Sequence, residues 1–287
     1  MNLKKVLFPI IRRLGVSLGI QKLLYDCYYR MVGLIKHGDP YFVRCIAIEI
    51  NSGCNRRCAY CPVSLSKDYP NNLMSEELFS KILNQLAHIN FSGTIMYHFY
   101  NEPTMDSRLA KFVRETSTRL PNAISRLFTS GDYLSDELID ELFEAGMNDI
   151  HITDHNRTKG RISRRFSEAL KKYRHRITVD EGLGTAPDRP IDNRGGLINL
   201  ANIGATPYLR TDCKIVWEEV KIDYQGNVLL CTNDFNREHI FGNVNEDTFI
   251  AIWKNEHYAK VRNNLRNGKT EFDICTKCNY ATPTLIK

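Results

Sequence analysis

The residues of this 287-residue chain best suited to chemistry are its nine cysteines. Cys54, Cys58 and Cys61 stand at CX3CX2C spacing. On one short loop, three such thiolates can bind three irons of a cubane. A structural zinc site wants four closed ligands, and no fourth candidate lies near this loop. Four further thiols, Cys213, Cys231, Cys275 and Cys278, form a second set, the last two as a CxxC pair. Four ligands with none missing suit either a fully ligated [4Fe–4S] cluster or a four-cysteine zinc site, and spacing does not separate the two. Cys27 and Cys45 are left over, and a spare buried cysteine is usually a small apolar filler.

These thiols have to be positioned by regular elements. Apolar alternation predicts strands at Tyr41–Ile50, Thr94–Tyr100, Ser125–Thr129, Asp149–Thr153 and Ile177–Glu181. Helical spacing predicts Ser75–Ile89, Ser107–Thr118, Ser135–Ala145 and Ser163–Tyr173 between them, with Ser75 and Ser135 as N-caps and Gly146 as a stop. This βα rhythm predicts an α/β fold: an open, partial TIM-type barrel of five or six parallel strands, with functional residues at the C-terminal strand ends. After Pro190 the rhythm stops. Glu219–Ile222 and Val228–Cys231 then read as a hairpin, and Thr248–Asn264 as a helix. The expected division is a helical segment over 1–40, the partial barrel over 41–195 and a small cysteine-bearing unit over 196–287.

The first 36 residues read as one or two basic amphipathic helices, with Leu7, Ile10, Ile11, Leu14, Leu23, Leu24 and Met31 on the apolar side. They are expected to pack on the main domain, with contact to a membrane surface as an alternative. No run of eighteen apolar residues predicts a membrane span. The net charge of +6 permits an anionic partner, but no nucleic-acid motif accompanies it. Without a secretory signal, the thiols point to a reducing cytoplasm and metal ligation rather than disulfides.

Period-two faces add polar candidates. Cys45, Ala47 and Glu49 share one face of their strand, as do Asp149, His151 and Thr153, and Thr178 with Asp180. If these faces point into the barrel, Glu49, His151 and Asp180 are candidates to meet a cofactor or a polyhydroxy substrate, or else to form a satisfied structural network.

A cubane with one open iron can chelate the amine and carboxylate of S-adenosylmethionine (SAM), and the CX3CX2C loop after a first strand resembles that of the radical SAM superfamily. Tyr60 fits the aromatic residue that usually precedes the third cysteine. Tyr100-Asn-Glu-Pro103 resembles the GGEP motif that meets the SAM amino group, carried here by Glu102 and Pro103. Thr129-Ser130-Gly131 resembles the T-N-G segment near the SAM ribose or methionine moiety. The tail is similar to SPASM/twitch auxiliary domains in Gly226 ahead of Cys231, Phe241-Gly-Asn243, Ile252-Trp253 and the terminal CxxC. Its single cluster's worth of cysteines fits the shorter twitch form. Asn193-Arg194-Gly-Gly196 resembles an N-R-(A/G)-G segment whose arginine faces the substrate.

Within the superfamily, the chain looks most like the twitch-type aminocyclitol (2-deoxy-scyllo-inosamine) dehydrogenases. The resemblance implies two [4Fe–4S] clusters, SAM, and an electron donor such as a flavodoxin or ferredoxin. It implies a 5′-deoxyadenosyl radical that abstracts hydrogen from a secondary alcohol of a sugar or aminocyclitol in natural-product biosynthesis. The second cluster would accept the remaining electron. Arg194, His151 and Asp180 are then expected at the substrate, and Tyr60, Glu102, Pro103, Ser130 and Glu49 at SAM. The alternatives are an epimerase, which would need Cys27 or Cys45 as a hydrogen donor, and a peptide-modifying enzyme. Against the latter, some 40 N-terminal residues are too few for the usual leader-binding module.

Overall fold

The computed structural model describes residues 21–155, 160–181, 191–204, 213 and 215–279. Short apolar segments such as Cys45-Ile-Ala-Ile48 are buried along most of their length, as expected of parallel strands covered on both faces. They give β1 (Cys45–Ile48), β2 (Thr94–Met96), β3 (Ile124–Thr129), β4 (Asp149–Asp154) and β5 (Ile177–Glu181), each paired in parallel with the next. Three further strands, β6 (Glu219–Ile222), β7 (Asn227–Leu229) and β8 (Ile240–Asn243), complete one sheet of order β5-β4-β3-β2-β1-β6-β7-β8.

That order extends the sequence reading in one respect. β6, expected only as half of a hairpin, pairs in parallel with β1, with Cys45 opposite Glu219 and Ile48 opposite Ile222. It is therefore a sixth parallel strand, and the antiparallel β7 and β8 grow from it. The sheet is linear rather than closed, so the partial-barrel expectation holds. One sheet thus runs from the first cysteine loop to the second cysteine set.

The helices sit where amphipathic spacing and caps place them. α1 is Gln21–His37, α2 Glu76–His88, α3 Leu109–Arg119, α4 Asp136–Glu144, α5 Arg161–Arg165 and α6 Ser167–Lys172. Ser75 and Ser135 each accept from the third residue beyond, at 3.1 Å. Gly146 ends α4 at φ +108°, where a Cβ would stand 2.5 Å from that of Ser117. The expected helix at Ser163–Tyr173 is broken into α5 and α6 at Phe166, whose ring is buried in the main core. The rings of Phe79 on α2 and Phe112 on α3 pack with centroids 4.2 Å apart. With Ile95, Leu127 and Ile150 they belong to one core, each such side chain contributing about 1.5–3 kcal/mol.

The last four helices flank the added strands. α7 (Ile215–Glu218) precedes β6, and α8 (Phe249–Lys254), α9 (Glu256–Arg266) and α10 (Asp273–Lys277) follow β8. The single helix expected over 248–264 is two, because Asn255 leaves helical geometry to cap α9 with its side chain. In α1, Met31, Leu34 and Ile35 are exposed, at 47, 56 and 75%. Residues 1–20, including Leu7, Ile10, Ile11 and Leu14, lie outside the described residues. Among the described residues, no helix is long and apolar enough to cross a membrane.

Candidate active site

The first cysteine loop leaves the C-terminal end of β1 and is fastened there before it reaches Cys54. Asn51 donates to the carbonyl of Gly53 (3.2 Å) and accepts from Asn101 (2.8 Å), and Glu102 N–H donates to the carbonyl of Gly53 (2.8 Å). Gly53 is required by close approach: a Cβ would come within 2.4 Å of the Asn71 amide oxygen. The end of β2 and the start of the loop are thus one hydrogen-bonded unit.

Glu102 is buried, and its carboxylate knits strand ends together. One oxygen accepts from the hydroxyls of Thr104 and Thr129, each at 2.6 Å, and the other from the N–H of Ser130 at 2.7 Å. Pro103 opens a short 3-10 turn, where a missing N–H costs nothing. The Tyr100–Pro103 and Thr129–Gly131 segments, remote in sequence, therefore meet beside the cysteine loop.

Asp132, one residue further, grips the loop itself. It accepts from Asn55 (2.8 Å) and from Arg56 Nε (2.6 Å). Burial opposes the Asp132 charge, but these hydrogen bonds hold its carboxyl below the usual range. Within the loop, Cys61 N–H bonds the carbonyl of Cys58 (2.9 Å), and Arg57 donates to that of Cys54 (2.9 Å). The three thiols are part-exposed. Burial raises each, that of Cys54 to about 11, and metal ligation would favour the thiolate forms. Tyr60 reaches across to His155, just past β4, in a short hydroxyl–Nδ1 hydrogen bond. Burial and the neighbouring Arg56 keep that imidazole below its ordinary pKa.

The second set converges. Cys213, Cys231, Cys275 and Cys278 line one pocket together with Ile215, Val216, Asn233 and Ile274. Its wall is a four-thiol donor set in an otherwise mainly apolar lining, the chemistry a [4Fe–4S] cluster takes. Both sets fit clusters by their donor chemistry: Cys54, Cys58 and Cys61 with one iron left for SAM, and the distal four closed.

A strap joins the two sets. Asn193 and Asn279 bond each other's backbone N–H groups (2.6 and 3.1 Å), and Asn193 Nδ2 donates to the carbonyl of Lys277 (2.7 Å). Gly195, at φ +67°, lies so close to Ile274 that a Cβ would stand 2.5 Å from it. Between these anchors Arg194 pairs with Asp192 (3.0 Å) and donates to the carbonyl of Tyr60 (3.3 Å). Burial disfavours its charge, but Asp192 more than restores it. Arg194 is thus a cation fixed between the SAM-type loop and the distal pocket.

Other expected residues are engaged elsewhere. Glu49 is fully buried, paired with Arg237 (2.9 and 3.0 Å) and accepting from Tyr224 N–H (3.2 Å). Its carboxylate is used in joining β1 to the loop after β7. His151 lies 3.2 Å from Asp149, which also holds Arg126, and its ring stacks on Phe128 at 4.8 Å. It belongs to a polar inner wall below the strand ends. Asp180 stands beside Thr153 in the β4–β5 register, nearer those ends. Cys45 begins β1, at the opposite end of the strand from the cysteine loop, and Cys27 is exposed on α1. Sequence reading missed Asp132, His155, Asn233 and Arg237. No local pattern marks them, because each acts on a partner distant in the chain or on a loop of irregular form.

Comparison with known proteins agrees with this geometry. The Radical SAM superfamily profile matches residues 48–184, and the SPASM profile, an iron-sulfur cluster-binding domain, matches residues 213–279. The chain belongs to the radical SAM superfamily. Its enzymes bind SAM at a [4Fe–4S] cluster, and a SPASM region adds a further iron–sulfur site; this chain is a radical SAM oxidoreductase of that build. It is 30% identical over 236 residues to the S-adenosyl-L-methionine-dependent 2-deoxy-scyllo-inosamine dehydrogenase of Niallia circulans, covering 82% of this chain and 92% of that one. A crystal structure of BtrN in complex with AdoMet and 2-DOIA superposes with a TM-score of 0.74 at 29% identity, over 86% of this chain and 96% of that one. BtrN in an open conformation gives 0.63 at 26% identity, over 83 and 93%.

Proposed function

We propose that this enzyme oxidises a secondary alcohol of an aminocyclitol or related sugar to a ketone, with the distal cluster taking the leftover electron. The observation that carries this reading is the strap. Arg194 stands between the Cys54–Cys61 loop and a pocket lined by four cysteines, so substrate bound at Arg194 would lie between two redox centres. When bound, SAM at the open iron supplies a 5′-deoxyadenosyl radical that removes hydrogen from a C–H bond.

The chain's own residues do the rest. The guanidinium of Arg194, always protonated and oriented by Asp192, binds the hydroxyl and stabilises negative charge on its oxygen as the proton departs. Asp180, at the end of β5, is the proposed acceptor of that proton. Tyr60 and His155 cover the cysteine loop, while Glu102, Pro103 and Ser130 shape the strand-end surface on which SAM would rest.

The same reading divides the chain into a partial barrel over 41–195 and an auxiliary-cluster unit over 196–287, whose first strand, β6, completes the barrel's parallel sheet. It places the protein in the cytoplasm, supplied with electrons by a flavodoxin or ferredoxin. The basic N-terminal segment, with Met31, Leu34 and Ile35 exposed on α1, would touch an anionic membrane surface, which flotation with vesicles of acidic lipid would test.

Epimerisation is disfavoured because it needs a thiol donor at the substrate, whereas Cys45 is at the far end of β1 and Cys27 is on α1. The deciding assay incubates reconstituted enzyme, SAM, reductant and 2-deoxy-scyllo-inosamine or a related aminocyclitol. Ketone formed one-for-one with 5′-deoxyadenosine is the expected result. Recovery of a stereoisomer bearing solvent deuterium, without ketone, would overturn the reading in favour of the epimerase.

A further inference from the structure

We propose that Asn233 sets the reduction potential of the distal cluster by donating hydrogen bonds to two of its thiolate ligands. This rests on the assignment of Cys213, Cys231, Cys275 and Cys278 as that cluster's ligands. Asn233 is 2% exposed and lines the pocket the four cysteines share. Its backbone N–H points to Cys231 Sγ at 3.3 Å, and its side-chain Nδ2 to Cys278 Sγ at 3.4 Å. These sulfurs come from separate elements, Cys231 from the loop after β7 and Cys278 from the end of α10.

The amide orientation follows from the chemistry of its partner. A thiolate accepts and does not donate, so the nitrogen must face Cys278. The amide oxygen is then left buried with no protein partner among the described residues. An unpartnered buried carbonyl is costly, and an apolar residue of similar volume would avoid that cost. The donor toward sulfur is what such a residue would lack.

Each N–H dipole offsets negative charge on the sulfur it meets. The reduced cluster carries one more electron than the oxidised one, so both bonds strengthen on reduction and the potential rises. A cluster that receives an electron from substrate benefits from that direction of bias. Gly195 of the strap packs against the same residue: a Cβ there would stand in ordinary contact, 3.5 Å from the Asn233 carbonyl oxygen. The Asn233 side of the pocket therefore adjoins the strap carrying Arg194.

The test uses the full chain with Cys54, Cys58 and Cys61 replaced by alanine, leaving the distal site alone. Iron is counted and the cluster is titrated anaerobically with an electron paramagnetic resonance readout. Asn233→Leu removes the side-chain donor at similar volume. It is expected to lower the reduced-to-oxidised ratio at fixed poise by roughly three- to tenfold, about 59 mV at the upper end for one electron. Asn233→Asp, which replaces the donor by a carboxylate, is expected to shift it further the same way. Wild-type potentials in variants that hold about four irons would overturn the proposal. So would loss of iron in both variants, which would make Asn233 a structural staple. Failure of the parent chain to bind iron would instead defeat the ligand assignment beneath it.

Discussion

Asp132 holds Arg56 through a carboxylate oxygen 2.6 Å from the guanidinium Nε, and so ties the end of β3 to the middle of the first cysteine loop. The two residues are 76 positions apart, and Asn55 joins the same carboxylate. The loop that must present three thiolates is therefore anchored twice: by Gly53 to Glu102 at its start and by Arg56 to Asp132 at its middle.

Asp132→Ala should loosen the loop without unfolding the barrel. A charge-assisted pair of this burial contributes about 1.5–3 kcal/mol, which would weaken SAM binding by about tenfold and hasten iron loss to a chelator. Equilibrium dialysis with SAM and a chelator time course check this. Unchanged affinity and unchanged iron retention would remove Asp132 from the loop-positioning role.

The two cysteine sets should separate cleanly. Cys58→Ser should abolish SAM cleavage and leave about four irons per chain, whereas Cys275→Ser should also leave about four but retain SAM cleavage without ketone. Iron analysis and 5′-deoxyadenosine quantification distinguish them from a parent with about eight irons. Full ketone yield from Cys275→Ser would show that the second site is dispensable for oxidation.

Arg194→Lys keeps the charge and loses the planar fork that spans Asp192 and the Tyr60 carbonyl. A fall of about 100-fold in kcat/KM for the aminocyclitol is expected, with SAM cleavage in the absence of substrate preserved. Parallel loss of both activities would mean that Arg194 supports the cysteine loop rather than the substrate.

Glu49 links stability to pH. Burial pushes its carboxyl up to about 7, against the opposing pull of Arg237, while in the unfolded chain it titrates near an ordinary glutamate, about 4.3. The folded protein thus holds the proton more tightly. This contribution to stability is fully present below about pH 4 and is lost as pH rises through about 7. Glu49→Gln should flatten that decline, which amounts to about 2–3 kcal/mol between pH 5 and 8. Urea unfolding at both pH values measures it, and identical slopes for the two proteins would refute the assignment.

What the chain determined by itself was local. The CX3CX2C spacing, the CxxC pair, the serine caps of α2 and α4 and the apolar period of each strand depend on residues a few positions apart. They could be read because a turn of helix or a short loop carries its own hydrogen bonds. The class of chemistry followed from the ligand missing beside Cys54, Cys58 and Cys61. Tertiary structure decided what those local pieces meet. It placed β6 beside β1, brought Glu49 to Arg237 across 188 positions, and set Arg194 between two cysteine sets. Such contacts depend on sheet order and register, which no short window of sequence contains. The same holds for Glu102: its motif marked it for SAM, and the fold gave its carboxylate to Thr104, Thr129 and Ser130.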